Sequence, residues 1–372
     1  MGIKLGNICR FQSGGTPSKG KPEFFNGTIP WITTTALNGG NIGKESAVDW
    51  ISEQAIKESA AKIVPAFSIM VGTRVGVGKV AINTTSMSTS QDIVSLLDID
   101  ENVWSKAFLC KFLQAKGTFL NSQARGATIK GIKIDVLSEL ELPEIPMEEQ
   151  QHISQIIDKI KAIIVIRQQQ LQKLDELVKA RFVELFGDPV LNQHGWRKAA
   201  LEVNATLLNG RAYKQDELLD SGKYPVLRVG NFFSNRGWYY SDLELDDDKY
   251  CDNGDLLYAW SASFGPQIWH GGKVIYHYHV WKVLVGDAYN KQFLCKLLEY
   301  ATESLMGDTH GIAMMHLTKS GMEKTEFIVP PIERQEQFAT FVTQTDKSKV
   351  AIQKALDEAQ LLFDSLMQKY FQ

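Results

Sequence analysis

The glycine-rich segment at residues 72–81 comes closer than any other part of the sequence to a nucleotide-binding motif. A phosphate-binding P-loop requires glycine, four further residues, and then Gly-Lys followed by Ser or Thr. Here five residues separate Gly72 from Gly78, and Val80 follows Lys79. The spacing also fits a loose dinucleotide fingerprint, but no strand–helix–strand pattern surrounds it. We therefore predict a glycine-rich turn between strands, and an enzyme that uses this loop is the least favoured function.

Other sequence patterns that could support chemistry are incomplete. His277 and His279 alternate within an apolar run, so both can face one side of a strand, but no acidic or cysteine residue accompanies them as a metal ligand. A motif for amino-group methylation has Asp or Asn before two prolines and an aromatic residue after them, whereas residues 329–332 are Val-Pro-Pro-Ile. The cysteines lie too far apart for a zinc site or a disulfide framework, and we expect reduced thiols. They are Cys9, Cys110, Cys251 and Cys295. We expect no catalytic residue, no metal and no cofactor.

The charge balance neither suggests nor excludes a nucleic-acid partner. The net charge is −3; residues 1–142 carry +3, whereas residues 189–330 carry −3. Specific DNA binding needs a basic face rather than a basic protein, so this balance is compatible with it. No run of about 18 apolar residues could span a membrane, and residues 1–6 do not begin a secretory signal. We therefore expect a cytoplasmic protein with no membrane partner.

An internal repeat at an offset of 185 residues is the strongest feature of the sequence. Upstream, residues 27–30 resemble residues 222–225 at an offset of 195, which implies an insertion between the two sets of matches. A period this long exceeds the 20 to 50 residues or so of solenoid repeats. We interpret it as one domain-plus-helix unit that has been duplicated. The gap-free matches are residues 106–111 with 291–296, Pro146 with Pro331, Gln150 with Gln335, and Phe186 with Phe371.

Each copy ends in a segment whose apolar residues recur in alternating steps of three and four. These seams run over residues 153–185 and 338–370, and the spacing is typical of helices that pair along a narrow stripe. Pro146 and Pro331, each followed by glutamate, are helix-start signals, and Gly187 ends the first helix. About 40 residues at 1.5 Å each give a rod of about 60 Å. Ordinary dimerisation coils are the alternative, but the shared register favours antiparallel pairing within one chain.

The segments before the two helices contain short β-like runs broken by Gly, Asn, Ser and Asp, with short helices between them. Each is predicted to be an α+β domain with a curved sheet. The clearest β-like runs are 29–32, 93–97 and the run from 274 through 285, and the clearest helices are 106–114 and 291–300. The predicted division is a first domain at 1–145, a first long helix at 146–188, a second domain at 189–330 and a second long helix at 331–372.

Several motifs, taken in order, resemble those of type I restriction–modification specificity subunits. Residues 13–18 (Ser-Gly-Gly-Thr-Pro-Ser), followed by residues 26–32, resemble the opening of a target-recognition domain in that family. Residues 146–150 and 330–335 resemble the proline–glutamate–glutamine start of its long spacer helix, and residues 185–189 resemble the end of that helix. The resemblance covers essentially the whole chain.

This resemblance implies a non-catalytic DNA-recognition subunit with pseudo-two-fold symmetry, in which two antiparallel helices separate two target-recognition domains. It implies a bipartite target in double-stranded DNA, with one domain reading each half. The partners would be two methyltransferase (M) subunits, which modify adenine with S-adenosylmethionine, and translocating and cleaving restriction (R) subunits. The second domain has no counterpart of residues 14–17, and residues 226–228 stand at the position of residues 31–33. Such differences are expected if the two domains read different sequences. The alternative is a coiled-coil scaffold that binds protein without DNA specificity.

Candidate DNA-binding residues follow from the chemistry of the ligand. Base edges are read by Arg, Asn, Gln, Ser and Thr, whereas phosphates take Lys, Arg and backbone amides. For each candidate, the competing interpretation is an ordinary solvated side chain. The candidates in the first domain are Thr33, Thr34, Thr35, Lys44, Arg74, Lys79, Arg125 and Lys130, and those in the second are Arg211, Arg228, Asn231, Arg236 and Lys273.

Overall fold

The computed structural model describes residues 2–126, 130–234, 236–261, 263–307 and 318–371. The chain divides into two units. The first unit comprises Met1–Gln168 and Lys354–Gln372, and the second comprises Gln169–Gln353. Both divisions fall inside long helices, so each long helix contributes one part to each unit. A structural unit is therefore not one copy of the sequence repeat, because it takes helical segments from both copies.

The first unit begins with short strands and helices. Its strands are β1 (Ile3–Lys4), β2 (Arg10–Ser13), β3 (Ile29–Ile32), β4 (Asn41–Ile42), β5 (Asp49–Ile51), β6 (Ile63–Val64), β7 (Ile69–Gly72), β8 (Val80–Asn83), β9 (Met87–Thr89), β10 (Ile93–Leu97) and β11 (Glu141–Leu142). Its helices are α1 (Glu53–Glu58), α2 (Lys106–Ala115), α3 (Gly117–Gln123), α4 (Ile134–Ser138) and the start of the long helix α5 (Met147–Phe186). Short 3-10 turns lie at Leu5–Asn7, Pro22–Phe25, Thr34–Ala36 and Lys44–Ser46.

These strands form two main sheets and a two-stranded ribbon. The orders are β2-β10-β7-β8-β4, β5-β3-β9-β6 and β1-β11. Strands β7 and β10 are apolar on both faces and wholly buried, as expected for central strands covered on both sides. Helix α2 begins at Ser105, whose side chain accepts a hydrogen bond from the Phe108 amide. Its apolar face completes the largest core cluster of this unit.

The second unit continues the chain. Its strands are β12 (Lys198–Ala200), β13 (Ala205–Asn209), β14 (Tyr224–Leu227), β15 (Tyr239–Ser241), β16 (Tyr250–Cys251), β17 (Leu256–Ser261), β18 (Ser263–Ile268), β19 (Val274–Tyr276), β20 (Val280–Val285) and β21 (Glu326–Ile328). Its helices are α6 (Leu201–Asn204), α7 (Val229–Phe233), α8 (Lys291–Gly307), α9 (Lys319–Lys324) and the start of the long helix α10 (Ile332–Phe371). The 3-10 turns are Gln215–Glu217 and Asp247–Lys249.

The second unit repeats the strand topology of the first. Its sheets, ordered β13-β20-β17-β18, β15-β14-β19-β16 and β12-β21, correspond in turn to β2-β10-β7-β8, β5-β3-β9-β6 and β1-β11. In both units the middle strand pair of one sheet, β3–β9 or β14–β19, is parallel. Strand β4 is additional in the first unit and lies in the longer connection between β3 and β5. The predicted α+β class is confirmed, with the strands of each unit divided among separate sheets.

The two long helices occupy equivalent positions in the repeat, since both bounds of α5 and α10 differ by the offset of 185. In the second unit, Asp175 bonds Lys349 at 2.6 Å and Phe182 packs on Phe338 with ring centroids 5.5 Å apart. A step forward along α5 is thus a step back along α10, so the helices are antiparallel there. None of the predicted seam positions is exposed. Among the described helices, none is long and apolar enough to cross a membrane.

Two equivalent buried glutamines fix the start of each long helix. Gln150 and Gln335 are 1% and 0% exposed, and each bonds three backbone groups of the preceding domain. Because the pattern recurs at the offset of 185, the repeated proline–glutamate–glutamine motif has a structural role. Gln150 donates to Val103 O (2.9 Å) and Ile145 O (3.0 Å) and accepts from Ser105 N (2.9 Å); Gln335 donates to Ala288 O (3.0 Å) and Pro330 O (2.8 Å) and accepts from Asn290 N (2.9 Å).

The far end of each long helix packs on the core helix of the unit in which it finishes. In the second unit, Phe186 at the end of α5 contacts Phe293 of α8, with ring centroids 4.6 Å apart. In the first unit, Phe371 at the end of α10 contacts Phe108 of α2, with centroids 5.1 Å apart. Both contacts join positions related by the repeat. Each unit is therefore completed by the end of the helix that starts in the other.

Candidate DNA interface

The glycine-rich segment forms the hairpin between β7 and β8, as predicted. The strands are antiparallel, with Ile69 opposite Ile82, and β8 begins directly after Lys79. A P-loop instead places a helix N-terminus after its lysine, where backbone amides hold phosphate. Gly76 and Gly78 have φ of +72° and +80°, the left-handed conformation that makes this tight turn possible. The geometry of a nucleotide site is therefore missing from this described loop.

The threonines after β3 lie beside this hairpin. The Thr34 methyl lies 3.5 Å from the position that a Cβ on Gly72 would occupy, and Thr34 is only 4% exposed. Thr33 and Thr35 are accessible, and their hydroxyl oxygens lie 2.8 Å apart within hydrogen-bond distance. Thr34 thus packs the loop against the hairpin, while its two neighbours present hydroxyl groups. We call residues 33–35 and 73–79 together the first corner.

Arg74 at the hairpin tip shares a cavity with residues that follow α3. Arg125 and Gly131 exchange backbone hydrogen bonds of 2.9 and 3.0 Å, and Ile132 N donates to Thr73 O at 2.8 Å. These bonds bring Arg74, Arg125 and Lys133 to a cavity of about 510 Å³. Among the described residues, none of these three cations has an ion-pair partner. Three converging, uncompensated cations suit an anion such as a phosphate.

The remaining candidates of the first unit are exposed lysines. Lys79 closes the hairpin, and its aliphatic stem lies over Gly76. Lys130 immediately precedes Gly131, which forms an antiparallel β-bridge with Arg125. Lys44 lies on the 3-10 turn that follows β4 and does not line the cavity of Arg74. The structure therefore brings Arg74 and Arg125 together and places Lys79 on the same hairpin as Arg74.

The second unit has a corner at the equivalent topological position. Arg228 follows β14 as Thr33 follows β3, and the turn from β17 to β18 replaces the glycine-rich hairpin. The β19–β20 connection of the second unit and the β9–β10 connection of the first make the same backbone hydrogen bond to the end of the neighbouring central strand. His277 N donates to Leu227 O at 2.9 Å, as Ser90 N donates to Ile32 O at 2.9 Å. We call residues 228–234, 236 and 277–279, with Ser263, the second corner.

A cavity of about 460 Å³ opens at the second corner. The Arg228 guanidinium carbon lies 4.2 Å from the centroid of the Tyr239 ring, a cation–π contact with a residue of β15. Arg236 is exposed on the same rim. The cavity is lined by Arg228, Val229, Gly230, Phe233, Ser234, Arg236, Ser263, His277 and His279. Two of the predicted DNA-binding residues, Arg228 and Arg236, are thus brought together.

The other candidates of the second unit have internal partners. Arg211 makes a bidentate ion pair with Glu217 at 2.8 and 2.7 Å, which holds the pKa of that carboxyl well below its usual value. Asn231 donates to the Arg236 carbonyl at 2.8 Å and so holds the turn that carries Arg236. Lys273 lies over the Tyr250 ring at 4.2 Å. None of these three lines the cavity.

The histidines of the second corner are functional candidates that the sequence interpretation missed. Burial, with smaller contributions from His279 and Arg228, lowers the pKa of His277 to about 4, and burial also lowers that of His279. Both rings are therefore neutral at physiological pH. Their alternation had suggested only a metal pair. In the described ranges, no group of three or more His, Cys, Asp or Glu side chains could hold a metal ion.

The four thiols are free, and burial raises the pKa of each, to about 12 for Cys9, Cys251 and Cys295. A thiol in this state is neither a nucleophile nor a metal ligand at neutral pH. The cysteines therefore fill core positions, in agreement with the expectation of reduced thiols.

Comparison with known proteins identifies the family. The family model described as the type I restriction modification DNA specificity domain matches the chain twice, at residues 2–176 and 195–360. These two matches cover most of the chain and coincide with its two topological repeats. The chain belongs to the type I restriction–modification DNA specificity family.

Similar proteins agree with this assignment. The MjaIX specificity subunit of Methanocaldococcus jannaschii is 23% identical over 98% of this chain and 91% of its own length. The EcoR124I/EcoR124II specificity subunit of Escherichia coli is 31% identical over 43% of this chain and 40% of its own. The S subunit from M. genitalium has the same fold, with a TM-score of 0.64, 16% identity, and coverage of 100% and 96% of the two chains.

The specificity subunit is thus a DNA sequence-recognition component of a type I restriction–modification system, and members of this family are not catalysts. This assignment agrees with the incomplete P-loop and methylation motifs of the sequence. It gives no support to the scaffold interpretation.

Proposed function

We propose that each unit of this specificity subunit reads one half of a bipartite target in double-stranded DNA, through its corner. The observation that carries this proposal is the equivalence of the two corners. Each lies where β3 or β14, a central strand of its sheet, ends, beside the hairpin that joins two strands of the other main sheet. Their side chains differ, since Thr33 in the first corner is replaced by Arg228 at the equivalent position of the second, which also contains His277 and His279. Equivalent positions with different chemistry are what two domains with different target sequences require.

In the first corner, we assign the two accessible threonines and the basic cavity to different parts of the DNA. Thr33 and Thr35 offer small hydroxyls that donate to and accept from base edges. Arg74, Arg125 and Lys133 surround an open cavity without carboxylate partners, as suits the phosphodiester backbone. Lys79 and Lys130 extend this basic surface, and Lys44 contributes a further cation on the adjoining 3-10 turn. Base contacts specify the sequence, and phosphate contacts fix the register.

The division of the chain follows from the same proposal. Residues 1–145 and 189–330 are the two target-recognition domains, and residues 146–188 and 331–372 are the spacer helices. Each described helix has 40 residues, which corresponds to about 60 Å at 1.5 Å per residue. Sites read on one side of a duplex lie about 34 Å apart per helical turn. Helices of this length can therefore fix a spacer whose bases are not read.

The long helices supply surfaces for two copies of the methyltransferase subunit. In the first unit, they expose apolar side chains at Val165, Ile166, Leu361 and Leu362, which are 49%, 52%, 72% and 51% exposed. Neighbouring exposed apolar residues are typical of a protein-binding surface. A duplicated chain offers equivalent surfaces twice, so two identical partners can dock. Restriction subunits would join this complex, and its DNA target implies a cytoplasmic location.

The assignment of one corner to each half-site can be tested by methylation mapping. The chain is co-expressed with its methyltransferase subunit in an unmethylated host, with the Thr33→Val and Thr35→Val changes in one variant and Arg228→Ala in another. Each variant should relax or weaken only one half of the methylated motif, and the two should affect opposite halves. Loss of specificity in both halves from either variant would contradict the assignment. Native mass spectrometry of the complex should show two methyltransferase subunits for each chain.

A further inference from the structure

Arg228 is an unpaired arginine in a partly enclosed site. Its Nε is buried and has no hydrogen-bond partner, unlike that of Arg211, whose guanidinium is satisfied by Glu217. No described carboxylate forms an ion pair with Arg228. A buried donor without an acceptor is costly, and a bound acceptor is one way in which that cost is removed. Arg228 therefore lacks an acceptor that a ligand can supply.

The neighbours of Arg228 restrict what this ligand can be. His279 N donates to His277 Nδ1 at 3.4 Å, which leaves the proton of the neutral His277 ring on Nε2. Arg228 and His277 therefore both present N–H donors to the cavity that they line. The Phe233 side chain and Gly230 supply apolar wall on the same cavity. A planar, donor-rich cavity with an apolar wall favours a ligand that presents two acceptors on a flat edge.

Among DNA groups, the major-groove edge of guanine meets this description. It offers the N7 and O6 acceptors side by side, and bidentate arginine is its commonest partner. A phosphate is the other acceptor-rich group of DNA. Contact with a phosphate does not require a guanidinium held in one plane, so an exposed cation such as Arg236 suits it better. The Arg228 guanidinium carbon lies 4.2 Å from the centroid of the Tyr239 ring, and this cation–π contact restrains the side chain before binding. A restrained planar fork favours a bidentate contact.

We propose that Arg228 reads a guanine in the half-site of the second unit by a bidentate contact to N7 and O6. His277 is a positioning residue that supports this contact and excludes a donor-bearing base edge. This inference deepens the proposed function and depends on it, because it names the base that the second corner recognises. It also explains why Thr33 is replaced by arginine at the equivalent position, since the two half-sites then differ in base at the contacted pair.

The test compares Arg228→Lys with Arg236→Lys in the complex with the methyltransferase subunit. Lysine keeps the charge but loses the planar fork. DNA duplexes carry the mapped target with guanine or 7-deazaguanine in turn at each guanine of one half-site. We expect 7-deazaguanine at one position to weaken wild-type binding roughly 10- to 100-fold, within the range for a bidentate base contact. Arg228→Lys should weaken binding to the normal duplex by a similar factor, with no further loss on the substituted duplex.

The Arg236→Lys variant is the control for charge and folding, and it should retain the wild-type discrimination between the two duplexes. Thermal unfolding of Arg228→Lys separates a folding defect from a recognition defect. If Arg228→Lys binds as wild type does, or if no guanine position responds, the inference is wrong even though a bipartite motif has been mapped. If no bipartite motif exists, the proposed function fails first. These two failures are therefore distinguishable.

Discussion

The candidate DNA-binding side chains differ in whether they already have a partner. Arg211 and Asn231 are committed to Glu217 and to the turn at Arg236, whereas Arg74 and Arg228 have no described acceptor. A committed arginine shapes the domain, because its donors are satisfied without DNA. An uncommitted one has donors for the ligand. Residue type alone therefore selects arginines with and without an internal partner alike, and only the contacts in the folded protein distinguish them.

Arg74→Ala should weaken DNA binding by the complex with little dependence on sequence. The reason is that Arg74 lines a basic cavity suited to phosphate, and removing one phosphate contact lowers the salt dependence of log K by about 0.9. Binding to target and non-target duplexes is measured over a range of salt concentrations. Arg10→Ala is the matched control, because Arg10 lies at the opposite end of the same sheet and pairs with Asp98 at the surface. A loss confined to target DNA would instead make Arg74 a base reader.

His277→Gln should reduce the loss of stability between pH 7.5 and pH 5. The folded pKa of about 4 lies below the ordinary value of 6.5, so the unfolded chain binds more protons in this window. Wild-type stability is therefore full above pH 6.5 and decreases as the pH falls towards 4. Urea unfolding of the two chains at both pH values measures the difference. An equal loss in the variant would show that His277 is not held neutral by the fold.

At the scale of elements, each long helix is fixed at its start by a buried glutamine and at its end by a phenylalanine. The glutamines satisfy backbone groups that would otherwise be buried without partners. Their equivalence in both copies indicates that the angle between helix and domain is a repeated feature. The corners depend on this arrangement only indirectly, through the core helices α2 and α8.

Gln150→Ala should destabilise the first unit by about 3 kcal/mol, because it leaves three backbone groups unsatisfied, at about 1–3 kcal/mol each with partial relaxation. Gln151→Ala, next to it but exposed, should change the stability little. Gln335→Ala and the exposed Gln337→Ala form the same pair in the second unit. Chemical unfolding measures all four. Equal effects of the buried and exposed changes would contradict the role of these glutamines.

The long helices and several strands were predictable because their signals are local. The apolar seam, the proline–glutamate starts and Gly187 define α5 and α10, and the repeat transfers one set of bounds to the other. Strands 29–32 and 93–97 were predicted from β-branched runs and are present with the same bounds. The run from 274 through 285 was expected to carry His277 and His279 on one strand, and this expectation was wrong, because the run is divided into β19 and β20 with both histidines in the connection between them. The division of strands into separate sheets was not predictable, because pairing partners such as β3 and β9 are non-local.

The candidate site was predictable in part. Thr33, Arg74 and Arg228 were selected by chemistry and lie at the corners, but the burial of Thr34 depends on packing against Gly72. His277 was considered only as a metal ligand, because its neutral state and its hydrogen bond to His279 N arise only when the β19–β20 connection is folded. Lys133 joins Arg74 and Arg125 through the backbone bond of Ile132 to Thr73, which no spacing rule reveals.

At the scale of the whole molecule, the duplication is the feature that connects sequence to function. The same strand order occurs twice, and the family match falls on both copies. Each structural unit nonetheless takes helical segments from both copies. The side chains at the two corners have diverged, whereas the glutamine and phenylalanine contacts that hold the helices have not.

The measurement that tests the central claim most directly is a genome-wide map of adenine methylation. The chain is co-expressed with its methyltransferase subunit in an unmethylated host, and complex formation is verified. We predict one new methylated motif, with two specified halves separated by a spacer of fixed length and unspecified sequence. A verified complex that methylates no defined motif, or a motif that is continuous, would contradict the account of two corners reading two half-sites.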